Sequence, residues 1–121
     1  MYDQGYAALI EDLSERGLLE KTLVCNLAEF GRTPRINPAG GRDHWPQCFC
    51  AYFAGGGIQG GRLHGSSDKT GAHPHDNPCR PDDITATVFR ALGFDPATHI
   101  TDQLARSVPI SAGRAIEPLF A

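Results

Sequence analysis

Acidic, basic and histidine side chains are concentrated in one irregular stretch, AEFGRTPRINPAGGRDHW, which runs from Ala28 to Trp45. The stretch opens with Glu29, just after an apolar run, and closes with the pair Asp43-His44. Carboxylate oxygens and imidazole nitrogens bind divalent cations, whereas guanidinium groups bind sulfate and phosphate oxygens through paired hydrogen bonds. The stretch therefore combines potential ligands for a cation with potential contacts for an anionic ester.

Each potential cation ligand also has a simpler interpretation. Glu29 is the last polar residue of a predicted strand, and ligands of open α/β sheets bind beyond the carboxyl ends of strands. A solvated loop acid paired with Arg32 would explain Glu29 equally well. A lone Asp43-His44 pair is more often a hydrogen-bonded turn than a metal site, although both residue types bind cations. Both interpretations stay open on these residues alone.

The basic residues allow two interpretations of equal weight. Arg32, Arg35 and Arg42 lie in a loop over a strand end, where guanidinium groups could bind a phosphate or sulfate ester. They could instead form surface ion pairs with nearby acids. Lys69, in the segment SSDKTG, has the same two interpretations. His73 and His75, in AHPHDNP, are more simply explained as solvated loop histidines.

Composition limits the function classes that the chain can belong to. Its 121 residues and 40% hydrophobic content suit one domain with a modest core. The net charge of -3 and the pI near 5.9 argue against a nucleic-acid-binding module, which usually carries a basic stripe. No apolar run approaches the ~20 residues that a membrane span requires. We therefore expect neither nucleic acid nor a membrane span among the partners.

The four cysteines do not form a recognisable zinc or disulfide pattern. Cys48 and Cys50 fall in a predicted strand, where their Cα atoms would lie roughly 6.6 Å apart, near the limit of disulfide reach. Together with Cys25 they are predicted to be small buried apolar residues, and Cys79 is left unassigned. Cysteine usage thus does not indicate a compartment.

Two helices are predicted from local signals. Apolar residues at helical spacing predict a first helix over residues 3–16, with Asp3 as its N-cap and Gly17 as its left-handed end. Pro81-Asp82-Asp83 predicts the start of a second helix that ends before Gly93. Its apolar face is predicted to comprise Ile84, Val88, Ala91 and Leu92.

The segments between the helices predict a partial, mostly parallel sheet. TLVCNLAEF and QCFCAYFAG are apolar runs without clean alternation, which is typical of parallel strands buried on both faces, and RLHG could form a short edge strand. Residues 66–80 are predicted to be a long surface loop, and the apolar end AIEPLF should dock on the rest of the chain. Two long loops and so few strands suggest that residues 1–121 are the C-terminal portion of one larger α/β domain.

Several motifs in one order resemble a known bacterial family. EFGRTPRIN, GRDHWPQCF, AGGGIQGGRLHGSSDKTG, DNPCRPDDITATVFRALG and RAIEPLF are similar to the C-terminal third of the domain-of-unknown-function family number fifteen hundred and one. That family is sulfatase-like and is placed in the alkaline phosphatase superfamily. The resemblance implies an alkaline-phosphatase/sulfatase-like α/β fold in which helices flank the partial sheet. Intact members are often exported to the periplasm or beyond.

The resemblance also implies roles for particular residues. Glu29 stands where the superfamily has a metal-binding aspartate at a strand end, and His44 looks like its later metal-binding histidine. Phe30 stands where the superfamily has a histidine or asparagine and cannot bind a metal. Asp43 completes the implied metal ligands, and the cation could be zinc, calcium or manganese.

The implied function is hydrolysis of a sulfate or phosphate ester by the intact protein. The ester could belong to a sulfated or phosphorylated small molecule or glycan, and Arg32, Arg35, Arg42 and Lys69 would bind it. The nucleophile would come from the rest of the parent domain, so this chain alone should not turn over substrate. The alternative, favoured by Phe30, is a non-catalytic binding or structural module with a degenerate metal site. A separate metal site of His44, His73, His75 and Cys79 is the weakest alternative.

Overall fold

The computed structural model describes residues 2–120, and these divide into two compact units. The first unit comprises residues 2–24, 54–62 and 79–120, and it contains both long helices. The second unit comprises residues 25–53 and 63–78, and it contains the arginines and histidines singled out above. The chain enters and leaves the second unit twice.

The first predicted helix is confirmed as α1, Tyr2–Glu15. Asp3 lies in its first turn rather than at the N-cap, where its negative charge favours the positive end of the helix dipole. Gly17 ends the helix with a φ of 65°, and the Leu18 amide donates to the Leu13 carbonyl at 2.8 Å. No residue of α1 is fully buried.

The second predicted helix is confirmed as α2, Pro81–Ala91. The Asp83 carboxylate accepts a 2.8 Å hydrogen bond from the Arg80 amide, and Gly93 has a φ of 85°. Its most buried side chains are Ala86 and Thr87, not the predicted apolar positions, and Leu92 is 62% exposed. Three of the four predicted positions, Ile84, Val88 and Ala91, are half-buried, so the predicted face is right in part and extends to a threonine that the apolar pattern did not include.

Four two-stranded sheets lie in the described part of the chain. β1 pairs with β4, β2 with β3, β5 with β6 and β7 with β8, and the last three pairs are antiparallel. Their bounds are β1 Val24–Asn26, β2 Gly31–Arg32, β3 His44–Trp45, β4 Tyr52–Ala54, β5 Ser66–Ser67, β6 Pro74–Asp76, β7 His99–Thr101 and β8 Ser107–Pro109.

The predicted parallel α/β sheet is wrong. Of the run TLVCNLAEF only residues 24–26 are a strand, and of QCFCAYFAG only residues 52–54. A parallel sheet needs helices packed on both faces, whereas α1 has no buried residue and only α2 has a buried face among the described helices. Two-stranded sheets made of strands of two or three residues do not require helices on both faces.

The loop predictions had mixed outcomes. RLHG is not a strand, and residues 66–80 contain the β5–β6 hairpin rather than a structureless loop. The predicted docking of the apolar end is confirmed, because the Gln59 amide donates to the Leu119 carbonyl at 2.8 Å and Ile58 bridges to Phe120. A 3₁₀ turn, Glu117–Leu119, shapes this end.

The predicted burial of three cysteines is also wrong. Cys25 and Cys50 are exposed, and Cys48 is half-buried, because the strands that were expected to enclose them are only three residues long or absent at those positions. The buried residues among residues 2–120 are Ala86 and Thr87, which are fully buried, and Ile116, which is 8% exposed. No helix in that range has both the length and the apolar character needed to cross a bilayer.

Candidate functional site

Residues 31–45 form a hairpin in the second unit, which we call the arginine loop. β2 and β3 are its two ends, and their register places Gly31 opposite Trp45 and Arg32 opposite His44. A Cβ atom at Gly31 would overlap the Cys48 carbonyl oxygen and would lie 3.0 Å from the Trp45 carbonyl oxygen. Only glycine fits there, so the first residue of the hairpin is fixed by backbone packing.

Hydrogen bonds within the arginine loop hold its backbone in one conformation. The Thr33 amide donates to the Asp43 carbonyl at 3.0 Å, and the Asp43 amide donates to the Thr33 hydroxyl at 3.1 Å. The Asn37 side chain accepts from the amides of Ala39 and Gly41 and donates to the Asp43 carboxylate at 2.9 Å. The predicted metal ligand Asp43 thus already has a structural partner.

The three arginines of the loop have different environments. Arg42 Nη1 donates to the carbonyls of Thr33 and Pro34 at 2.7 and 2.6 Å, so it braces the loop. Arg32 Nη1 donates to the Arg42 carbonyl at 3.2 Å. Arg35 is exposed, and within residues 2–120 its side chain has no hydrogen bond or ion pair. It lines an open groove together with Thr33, Ile36, Asn37, Pro38 and Asp43.

An aromatic stack lies at the base of the arginine loop. The Phe30 ring stacks on the His44 ring with their centroids 3.9 Å apart, and the Arg32 guanidinium carbon lies 5.4 Å from the Phe30 centroid. The sequence placed Phe30 where a metal ligand was expected, and the structure places its ring against the predicted ligand His44. One face of the imidazole is therefore covered by an apolar side chain.

The predicted metal ligands do not assemble into a donor set in this structure. Glu29 is exposed and lies in a bend after β1 has ended at Asn26, so it does not terminate a strand as predicted. Asp43 is bonded to Asn37 and His44 is stacked on Phe30. Within residues 2–120 no three His, Cys, Asp or Glu side chains are grouped so that they could hold an ion. The metal therefore stays a prediction.

The sequence profile of the family described as "Protein of unknown function (DUF1501)" matches residues 1–120. The chain belongs to this family. The resemblance drawn from the motifs is thus confirmed at the level of the family. Comparisons with curated proteins and with solved structures found no match.

The DUF1501 chain has a second ordered loop that sequence reasoning missed, in the β5–β6 hairpin. The Asp68 carboxylate accepts hydrogen bonds from the amides of Thr70, Ala72 and His73 and from the Thr70 hydroxyl, at 2.8 to 3.1 Å. These bonds, the one from the Ala72 amide first, lower the pKa of Asp68 to about 2. Asp68 and Gly71, the first and last of the four residues DKTG, are a turn signal that could have identified it. Lys69 lies exposed in the same turn.

Trp45 connects the two loops of the second unit of the DUF1501 chain. Its indole Nε1 donates to the Ala72 carbonyl at 2.6 Å, and its ring meets the His73 ring edge-on with centroids 5.7 Å apart. His73 and His75 are exposed, in agreement with their interpretation as solvated histidines. The turn held by Asp68 thus supports the end of the arginine loop.

Proposed function

We propose that this DUF1501 chain supplies the anionic-ester-binding part of a sulfatase-like, hydrolase-type protein of the alkaline phosphatase superfamily. One observation carries the proposal: the Arg35 guanidinium is exposed beside a groove, on a loop whose backbone is held by its own hydrogen bonds. A guanidinium with uncommitted donors binds a sulfate or phosphate group through two parallel hydrogen bonds. A loop that is already ordered loses little conformational entropy when the ligand binds.

The three arginines have separate roles in this proposal. Arg35 is the primary contact with the ester. Arg42 is a positioning residue, because its guanidinium donates to two backbone carbonyls that fix the turn carrying Arg35. Arg32 keeps donors beyond the one that it gives to the Arg42 carbonyl, and its position over Phe30 holds the side chain in place. Lys69 adds positive charge from the neighbouring hairpin of the same unit.

The charge of the groove favours a particular ester class. Asp43 lines the groove beside Arg35, and its carboxylate repels a second negative charge. A sulfate monoester carries one negative charge at neutral pH, whereas a phosphate monoester carries nearly two. We therefore infer a preference for sulfate monoesters over phosphate monoesters.

We expect this chain alone to bind the ester through the arginine loop but not to hydrolyse it. The described residues offer no nucleophile in the context that the superfamily uses, and the predicted cation ligands do not converge. A second candidate function is a non-catalytic binding module with a degenerate metal site. The stacking of Phe30 on His44 favours it, because the ring covers a face of the residue expected to bind the metal.

The binding test is a titration of the chain with phenyl sulfate and with phenyl phosphate. Binding is measured by calorimetry and by the fluorescence emission of Trp45. We expect phenyl sulfate to bind more tightly, and Arg35→Ala to weaken it about tenfold, which is the loss of one charge-assisted contact of ~1.5 kcal/mol. Arg62→Ala is the matched control, since Arg62 is exposed and lies outside the loop. Equal affinity in Arg35→Ala and in the unsubstituted chain would remove the proposed contact.

A separate measurement distinguishes the enzyme from the binding module. The full gene product is incubated with an aryl sulfate and an aryl phosphate after loading with zinc, manganese or calcium. Turnover that falls in Glu29→Gln and Arg35→Ala supports the hydrolase. Binding that depends on Arg35, without turnover under any of these metals, supports the binding module.

A further inference from the structure

The groove beside Arg35 has an apolar wall that binding of the sulfate group alone does not use. Ile36 and Pro38 line the groove together with Arg35, and all three residues are exposed. Ile36 is 59% exposed, so most of its hydrocarbon surface meets water. A ligand that packs on this surface removes it from water, and that removal favours binding. The guanidinium of Arg35 therefore has apolar surface next to it in the same groove.

The polar side chains that line the groove are already hydrogen-bonded within the arginine loop. The Thr33 hydroxyl donates to the Arg35 carbonyl at 2.8 Å and accepts from the Asp43 amide at 3.1 Å. The Asn37 side chain accepts from two backbone amides and donates to Asp43 Oδ1. Among the side-chain oxygens of the lining, Asp43 Oδ2 alone has no hydrogen bond within the described residues. Apart from Arg35, the groove thus offers a ligand few polar partners.

We propose that the ester held by Arg35 is a sulfate monoester of a hydrophobic alcohol, such as an alkyl sulfate, whose hydrocarbon chain lies on Ile36 and Pro38. This inference rests on the proposed function, because it names the organic group of the ester that Arg35 binds. It separates hydrophobic sulfate esters from sulfated glycans, which the sequence alone left as equal alternatives.

The arrangement of the lining disfavours a sugar sulfate. A sugar brings several hydroxyl groups to a lining with one uncommitted side-chain acceptor, Asp43 Oδ2. Hydroxyl groups that lose water without gaining a partner weaken binding. A hydrocarbon chain needs no polar partner, and its contact with Ile36 and Pro38 strengthens binding in proportion to the apolar area removed from water.

The test compares methyl, butyl and hexyl sulfate with glucose 6-sulfate, each below its micellar concentration. Calorimetry measures the affinities, and weak ligands are measured by their displacement of phenyl sulfate. We expect hexyl sulfate to bind about tenfold more tightly than methyl sulfate, with butyl sulfate between them. Full burial would strengthen binding about fourfold for each methylene, and an open groove covers the chain on one side only. Glucose 6-sulfate should bind no more tightly than methyl sulfate.

Variants of the apolar wall separate its contribution from that of Arg35. Ile36→Ser should reduce the advantage of hexyl over methyl sulfate to about threefold, since the serine offers little apolar area. Ile36→Leu should keep the advantage. Leu63→Ser is the matched control, because Leu63 is 93% exposed in the same unit and does not line the groove. Arg35→Ala should weaken the binding of all the sulfates.

The outcomes distinguish this inference from the proposed function. Binding that depends on Arg35, with equal affinities for hexyl sulfate, methyl sulfate and glucose 6-sulfate, would overturn the hydrophobic ester and leave the proposed function standing. The same holds if Ile36→Ser keeps the full advantage of hexyl sulfate, or if Leu63→Ser reduces it equally. Sulfate binding that Arg35→Ala leaves unchanged would overturn both.

Discussion

At the scale of single residues, the chain uses several of its reactive side chains to hold its own backbone. Arg42 and Asp43, chosen from the sequence as contacts for an ester and a cation, bond within the arginine loop. Arg35 is exposed and makes no side-chain hydrogen bond within the described residues, so its donors stay uncommitted. Residue types alone singled out this loop, but they could not separate these roles, because the separation depends on which carbonyl faces which guanidinium.

Thr87 is a second residue that the sequence did not single out. It is fully buried, and its hydroxyl donates to the Asp83 carbonyl at 2.7 Å while it accepts from the Ile116 amide at 2.9 Å. The second bond joins α2 to the segment that leads into the docked apolar end. A threonine in the middle of a helix gives no sign of such a distant partner.

The substitution Thr87→Val tests this contact. Valine keeps the shape of the side chain but leaves the buried Ile116 amide without an acceptor. We expect this to lower the free energy of unfolding by about 1–3 kcal/mol. Thr85→Val is the matched control, because the exposed Thr85 hydroxyl makes the same kind of helical bond, to the Pro81 carbonyl at 3.2 Å. Urea denaturation measures both variants, and equal effects would mean that the Ile116 bond contributes little.

At the scale of elements, the sequence predicted the helices and not the strands. α2 carries its own signals, Pro81 at the start and Gly93 at the end, so local chemistry defines it. The apolar runs around Cys25 and Cys50 resemble buried strands, but the length of a strand depends on a partner that the local sequence does not name. The β5–β6 hairpin was missed for a related reason, since Asp68 organises it through backbone amides.

The close packing of β2 at Gly31 fixes the base of the arginine loop. Gly31→Ala would place a methyl group against the carbonyls of Cys48 and Trp45, and backbone groups cannot yield as a flexible side chain can. We expect a loss of roughly 1–3 kcal/mol in the free energy of unfolding, or displacement of β2 from β3. Thermal unfolding measures the stability, and Trp45 emission follows the displacement.

Gly5→Ala should have the opposite effect on stability to Gly31→Ala. Gly5 lies within α1, and nothing is found within 4 Å of the added methyl group, so alanine should stabilise the helix by about 1 kcal/mol. A Gly31→Ala chain as stable as the unsubstituted one, with unchanged Trp45 emission, would show that the close approach at Gly31 is easily relieved.

At the scale of the whole molecule, hydrogen-bonded carboxylates recur where regular structure is short. Asp68 holds the β5–β6 turn, Asp83 joins the start of α2 to the Arg114 amide at 2.8 Å, and Asp102 holds the β7–β8 turn. In each case backbone amides are the leading cause of a lowered pKa. Of these bonds, the one between Asp83 and Arg114 joins residues far apart in the sequence, whereas those of Asp68 and Asp102 hold local turns.

The stability of the chain should therefore depend on pH in the acidic range. A carboxylate whose pKa is lowered by folding takes up a proton more readily in the unfolded chain, so acid favours unfolding. The contribution is complete above the ordinary aspartate pKa of about 3.9 and disappears as the pH falls toward the folded value, which for Asp68 is about 2. We expect the free energy of unfolding in urea to decline between about pH 5 and pH 2, since carboxylates protonate there.

Asp68→Asn should lower stability at pH 7 and flatten this decline, because the amide offers one acceptor oxygen and no charge. Glu29→Gln is the control, since the Glu29 carboxylate makes no hydrogen bond within the described residues, and its curve should follow that of the unsubstituted chain. If the curve of Asp68→Asn has the same slope as the control, the amides around Asp68 do not lower its pKa in solution.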